Sequence, residues 1–110
     1  MIFDSDGNTT LITQESSSIV ELVKKIESKY DRFKNDNIIV SLTSLKMIPK
    51  NDIVEFILIS NKHRKAKHSF VIVTDKVNLD EIPNEIVVVP TLQEAYDIIE
   101  MEEIERDLGF

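Results

Sequence analysis

Three short runs of aliphatic, mostly β-branched residues occur along the chain, at residues 38–42, 70–74 and 86–89. They show little alternation between apolar and polar positions, which is typical of strands covered on both faces of a sheet. The segments between and after them carry apolar residues three and four positions apart, as in amphipathic helices. This order of elements predicts an α/β fold, a small mixed sheet with parallel central strands and packed helices.

Helix starts are predicted by the capping-box spacing, in which a side-chain oxygen accepts a hydrogen bond from a backbone N–H near the helix start. The spacing occurs three times, as Ser18 with Glu21, Asp52 with Glu55, and Thr91 with Glu94. We therefore expect helices over about residues 18–34, 51–64 and 92–108. The apolar surface of the second helix is broad, and this predicts that it is well buried.

The amino-terminal segment predicts a hairpin at one edge of the sheet. Residues 2–3 and 9–13 are rich in apolar and β-branched side chains, and the turn signal Asp6-Gly7-Asn8 lies between them. No linker or repeat interrupts the rest of the chain. We expect residues 1–110 to form one domain.

The charge is unevenly distributed over a chain whose net charge is −7. Residues 62–68 carry four fixed cations and no acid, whereas residues 94–107 carry seven acids and one base, Arg106. The acidic total argues against general nucleic-acid binding, which needs a clustered positive surface. The start has no basic region followed by an apolar stretch, and no apolar run reaches ~20 residues, so we expect a cytoplasmic protein without a membrane span.

The inventory of reactive residues predicts no catalytic, metal or cofactor site. The chain has no cysteine and only two histidines, His63 and His68, which stand among cations that repel a metal ion. Its two glycines are too few for a phosphate-binding loop. The acids at residues 100–107 favour a solvated helix face over a metal site, since carboxylates on one exposed helix bind cations weakly. With Met101, Ile104, Leu108 and Phe110 nearby, that face is also a plausible docking surface.

Three segments of the chain resemble the STAS family. They are the strand, loop and helix at residues 38–58, the basic turn before residues 70–74, and the run Pro90-Thr91-Leu92-Gln93-Glu94-Ala95. Anti-sigma factor antagonists and the cytoplasmic domains of sulfate transporters typify that family. The resemblance implies a non-catalytic module that binds a regulatory or sensory protein partner. In the family, a serine at the start of the corresponding helix is phosphorylated to switch partner binding.

The position of the family's paired serines is taken here by Lys50 and Asn51, neither of which accepts a phosphate. The resemblance therefore implies partner binding at Lys50, Asn51, Asp52 and Glu55 without a phosphorylation switch at that position. Asp52 would then supply a permanent negative charge, unless it serves only as the helix cap.

An RNA-processing accessory is the alternative function. Residues 90–110 also resemble short bacterial proteins that often carry a ribonuclease Z label, although this chain lacks the histidines of a zinc hydrolase. In this interpretation Lys62, Arg64, Lys65 and Lys67 bind RNA or another anion. The alternative structural explanation is that these cations simply complement the carboxyl end of the helix dipole. A small-molecule site at the strand tips would rest on analogy with the fold alone.

Overall fold

In the described part of the chain, five strands form one mixed sheet in the order β1-β2-β3-β4-β5. The structure, a computed structural model, describes residues 2–14, 18–45 and 48–109. The first two strands pair antiparallel and the remaining neighbours pair parallel, as the sequence predicts. The strands are β1 (Ile2–Asp6), β2 (Thr9–Thr13), β3 (Asn37–Ser41), β4 (Phe70–Val73) and β5 (Val87–Val89).

The predicted hairpin forms at one edge of the sheet. Asp6 pairs with Thr9 across a two-residue turn, and Gly7 has a φ of +61° there. A positive φ at the first turn residue is the geometry of a type II′ turn, which glycine adopts without steric cost. The turn therefore fixes the register of the hairpin.

In the ranges that the structure describes, four α-helices and three short 3₁₀ turns connect or follow the strands. The turns are Tyr30–Arg32, Val54–Phe56 and Leu79–Glu81. The helices are α1 (Ile19–Ser28), α2 (Lys50–Ile53), α3 (Ile57–Lys65) and α4 (Leu92–Asp107). A single second helix was expected, but the Val54–Phe56 turn separates α2 from α3.

The first helix is shorter than predicted, because it ends at Ser28 and a 3₁₀ turn follows at Tyr30–Arg32. This turn places Tyr30 and Phe33, three residues apart, in the core. The Phe33 ring packs 5.6 Å from the ring of Phe3 on the hairpin, measured between centroids. Side chains three apart lie on one side of a 3₁₀ turn, so the tighter geometry keeps both rings buried.

Two of the three predicted caps are confirmed. The Ser18 hydroxyl accepts from the Glu21 N–H at 3.3 Å, and the Thr91 hydroxyl accepts from the Glu94 N–H at 3.2 Å. The predicted cap at Asp52 is wrong, because extended Pro49 is the N-cap residue and α2 begins at Lys50. Asp52 already lies in the first turn, and its N–H donates to the Pro49 carbonyl at 2.9 Å.

The helices cover the two faces of the sheet unequally. On one face α1, α2 and α3 enclose the larger core, which includes Ile12, Leu22, Ile26, Ile38, Val40, Phe56, Phe70 and Ile72. On the other face α4 packs Ala95 and Ile99 against Ile39, Val71, Val73 and Val89. Successive residues of β3 and β4 therefore enter different cores, which explains their continuous apolar sequence.

The cap of α4 gives a direct test of the helix boundaries. Thr91→Ala should lower the free energy of unfolding by ~1 kcal/mol, because the Glu94 N–H loses its acceptor. Thr91→Ser should retain most of that stability. Asp52→Ala should cost less than Thr91→Ala in urea unfolding, and an equal or larger cost would contradict the helix start at Lys50.

Candidate functional site

The parallel strands give the sheet two chemically different edges. Strands β2 to β5 begin at the amino edge and end at the carboxyl edge. The start of α2 follows β3 at the carboxyl edge, whereas residues 62–68 precede β4 at the amino edge. The two predicted sites therefore lie at opposite ends of the sheet and can be changed separately.

At the carboxyl edge, α2 and the start of α3 present an exposed mixed surface. Asn51, Val54, Glu55 and Leu58 are exposed and Asp52 is half-buried; we call these five residues the α2 surface. Lys50 begins α2, but the structure does not describe its side chain, which is also predicted to bind the partner. The structure thus brings Asn51, Asp52 and Glu55 together near the start of α2, as the sequence predicts.

Two apolar side chains on this surface contradict the prediction of a well-buried second helix. Ile53, Phe56 and Ile59 are buried, but Leu58 is 80% exposed and Val54 is 38% exposed. Val54 lies in the 3₁₀ turn and Leu58 in the first turn of α3, and both leave apolar surface exposed. An exposed apolar pair between polar neighbours is a candidate contact for a partner.

At the amino edge, the four predicted cations are in different environments. The Lys62 ammonium lies 4.6 Å from the centroid of the Tyr30 ring. Arg64 forms an ion pair with Glu102 on α4, with Nη2 3.2 Å from Oε2. Lys65 and Lys67 are exposed, and Lys67 has a φ of +71°, which is uncommon for a residue other than glycine.

The backbone explains this conformation of Lys67. Its N–H donates to the Arg64 carbonyl at 3.0 Å, and the His68 N–H donates to the His63 carbonyl at 3.3 Å. These bonds form a Schellman motif, in which the residue after the helix is left-handed and usually glycine. Lys67 is therefore held by the end of α3 and leads the chain directly into β4.

A polar cluster joins the amino edge of the sheet to α4. We call it the amino-edge cluster, and it consists of Asn37, Ser69, Glu102, Glu103 and Arg106. The Asn37 amide donates to Glu103 at 2.9 Å and accepts from the Ser69 N–H at 2.8 Å. It also accepts from Arg106 at 3.4 Å. The buried Asn37 side chain thus connects β3, β4 and α4.

The remaining bonds of the amino-edge cluster extend it to neighbouring elements. The Ser69 hydroxyl donates to Glu102 at 2.5 Å and accepts from Arg106 at 3.2 Å. Glu103 also accepts from Asn8 in the hairpin turn at 3.2 Å. Because Glu102 and Glu103 are half-buried and hydrogen-bonded, the prediction of a uniformly solvated acidic face is wrong for them.

Sequence reasoning missed this cluster because its members are far apart in the chain. The available signal was a polar residue at the start of β3, Asn37, and another immediately before β4, Ser69. The described ranges contain no group of three or more acids, histidines or cysteines arranged to hold a metal ion.

His63, one of the two histidines of the basic segment, is a structural residue. His63 is fully buried, with Nε2 2.6 Å from the Asp36 carbonyl oxygen and Nδ1 2.7 Å from the Tyr30 hydroxyl. A carbonyl only accepts, so Nε2 carries the proton and Nδ1 accepts from Tyr30. Burial lowers the pKa of His63 to about 4, and the positive charges of His68 and Arg106 also lower it.

Comparisons with known proteins connect this geometry to a fold. No family model and no curated protein matches the sequence. A crystal structure from Thermotoga maritima, described as a "putative anti-sigma factor antagonist", matches with a TM-score of 0.63 and 15% identity. The match covers 90% of this chain and 93% of that chain.

The match confirms the predicted fold class. The chain has an α/β fold with a five-stranded mixed sheet and packed helices, and this fold is similar to that of the Thermotoga maritima protein. The resemblance to proteins labelled ribonuclease Z stays a prediction. Among the described helices, none has the length and apolar character required to cross a bilayer.

Asn37 provides the test of the amino-edge cluster. Asn37→Ala should lower the free energy of unfolding by ~3 kcal/mol, because it leaves the buried Ser69 N–H without an acceptor and removes the donor to Glu103. Asn35→Ala, at an exposed position two residues away, is the matched control in urea unfolding. Equal stability of the two variants would contradict the account of the cluster.

His63 predicts a pH dependence of stability. Its pKa of about 4 in the folded chain lies below the ordinary value of 6.5, so the unfolded chain binds the proton more readily between these pH values. The contribution of neutral His63 to the free energy of unfolding should be complete above about pH 6.5. It should fall by ~3 kcal/mol as the pH decreases to about 4. His63→Gln retains a donor and an acceptor but does not titrate, so its stability should fall less over this range. Identical pH profiles of the two proteins would contradict the assignment.

Proposed function

We propose that the chain is a non-catalytic, STAS-like module that binds a regulatory or sensory protein through the α2 surface and Lys50. The exposed apolar pair Val54 and Leu58, beside Asn51 and Glu55 at the carboxyl edge, is the observation that carries the proposal. Likeness in fold to a protein described as an anti-sigma factor antagonist supports the same class of function.

The chemistry of the α2 surface suits a protein partner. Complete burial of a leucine side chain is worth ~2 kcal/mol, and Leu58 has most of its surface available for that gain. Asn51 and Glu55 can then hydrogen-bond around the apolar contact, as polar residues do at the rim of an interface. Affinity would come from the apolar pair and specificity from its polar neighbours.

Binding at this surface would proceed without phosphorylation at the start of α2. Its first two residues are Lys50 and Asn51, and Asp52 follows in the same turn. The charge of Asp52 is permanent, and negative charge is favourable in the first turn of a helix. The module would therefore remain competent to bind, and control would lie with the partner.

RNA binding at the amino edge is the second candidate, and the geometry favours it less. Arg64 is already paired with Glu102, and Glu105 lies with Lys67 around the same small surface groove. These acids reduce the positive potential that a phosphate backbone would need. Lys62 and Lys65 are exposed, so the RNA candidate has its own test.

The proposal is tested by affinity capture from the native cell with variants of the α2 surface and a control variant of the amino edge. Asn51→Ala with Asp52→Ala, and separately Leu58→Asp, should lose most of the captured protein partner, because each alters the α2 surface. Lys62→Ala with Lys65→Ala should capture the same partner as the unmodified chain. Thermal unfolding verifies that each variant is folded.

The opposite pattern would support the alternative. Retention of every captured protein by both α2-surface variants would contradict the proposal. Measurable affinity for a labelled single-stranded RNA at about 150 mM salt, lost in the Lys62 and Lys65 variant alone, would place the function at the amino edge.

A further inference from the structure

On the sheet face that α4 covers, the half formed by the hairpin has no described helix packed over it. On this face α4 lies over β3, β4 and β5, whereas the opposite face is covered by α1, α2 and α3. The open half belongs to the hairpin, where Asp4 of β1 is paired with half-buried Leu11 of β2. Neighbouring strands are ~4.8 Å apart, so the two strands of the hairpin form a strip ~10 Å wide. This width is close to the diameter of one helix with its side chains.

A groove of about 450 Å³ lies between this hairpin and α4. Thr9 and Ile99 are among the residues that line it, and Asp6 and Tyr96 face each other from its two sides. Burial raises the pKa of the Tyr96 hydroxyl, and the neighbouring Asp6 carboxylate raises it further. We call this feature the hairpin–α4 groove; Asp6, Tyr96, Glu100, Ile104 and Asp107 form its accessible sides.

The charge of the hairpin–α4 groove has one sign. Asp6, Glu100, Glu103 and Asp107 are four of its nine lining residues, and none of the nine is a base. Within the described ranges no three acids converge to hold a metal ion. The carboxylates are instead spread along α4 and the hairpin, which matches a ligand that carries several positive charges along its length.

Exposed apolar side chains continue from the groove along the outer side of α4. Ile104 is 53% exposed and lines the groove, while Met101 and Leu108 are 50% and 67% exposed. Positions 101, 104 and 108 recur at helical spacing, so they form one apolar stripe beside the acids. A helix lying next to α4 would meet this stripe with its apolar face and the acids with its cations.

We propose that the hairpin–α4 groove binds a basic amphipathic helix of a partner protein. This surface lies on the sheet face opposite the α2 surface, and the Asp6–Thr9 turn at its end belongs to the amino edge. It is therefore a second docking surface, and its occupation leaves the α2 surface free. The module would then bring two proteins together.

The probe is a fluorescein-labelled model peptide of about 16 residues, the length of α4, with lysine and leucine at helical spacing. Its binding to the full chain is measured by fluorescence anisotropy at about 50 mM and about 300 mM NaCl. We expect binding at micromolar concentration that weakens with salt. A peptide with glutamate in place of lysine, and one with two central prolines, should bind at least tenfold more weakly.

Variants of the chain locate the binding. Asp6→Asn with Glu100→Gln and Asp107→Asn should weaken binding roughly tenfold, because three exposed carboxylates that would pair with the peptide's lysines are lost. Ile104→Ala should also weaken it. The matched controls are Glu27→Gln on α1 and Leu58→Ala on the α2 surface, and both should leave the affinity unchanged.

Three results would overturn the inference. The first is no binding of the lysine–leucine peptide at about 100 µM protein. The second is equal binding of the peptide to the groove variants and to the unmodified chain. That result would mean that the peptide binds by general electrostatic attraction and not at the hairpin–α4 groove. The third is equal binding of the proline peptide, which would exclude a helical ligand.

Discussion

The side-chain amide of Asn37 is the contact on which the arrangement of the elements depends. It stands at the start of β3, accepts from the backbone at the start of β4, and donates to Glu103 on α4. Glu103 in turn accepts from Asn8 in the hairpin turn. One buried amide therefore aligns two central strands and fixes α4 across them. Because a buried polar group without a partner is costly, α4 cannot shift along the sheet without losing these bonds.

The position of α4 then determines which charges remain available to partners. Glu102 faces the basic segment and pairs with Arg64, so part of the acidic helix neutralises part of the basic segment. Glu100 and Asp107 lie on the other side of α4, beside the hairpin, where no base lines the groove. The same helix thus reduces the positive potential at the amino edge and concentrates negative potential at the hairpin–α4 groove.

Local signals in the sequence were sufficient for the fold. The β-branched runs predict the central strands, Gly7 predicts the hairpin, and Ser18 and Thr91 predict two helix starts, since each depends only on residues nearby in the chain. Asp52 failed as a cap because Pro49, three residues earlier, also permits a helix start and the chain takes it. The exposure of Leu58 was not predictable, because an apolar residue on a helix gives no sign of which of its neighbours will face the sheet.

The candidate site was predicted in part. Asn51, Asp52 and Glu55 are close in sequence, so their common location follows directly from a helix at that position. The amino-edge cluster joins residues separated by more than 30 positions, for example Asn37 and Glu103, and only the packing of α4 brings them together. A charge pattern along the chain cannot show that a basic segment and an acidic helix neutralise each other.

Amide hydrogen exchange on the purified complex with the captured protein partner tests the central claim most directly. If the α2 surface is the binding site, the amides of residues 50–58 should exchange more slowly in the complex, while those of residues 62–68 remain unchanged. Slower exchange confined to residues 62–68, with residues 50–58 unaffected, would contradict binding at the carboxyl edge and place the function at the amino edge.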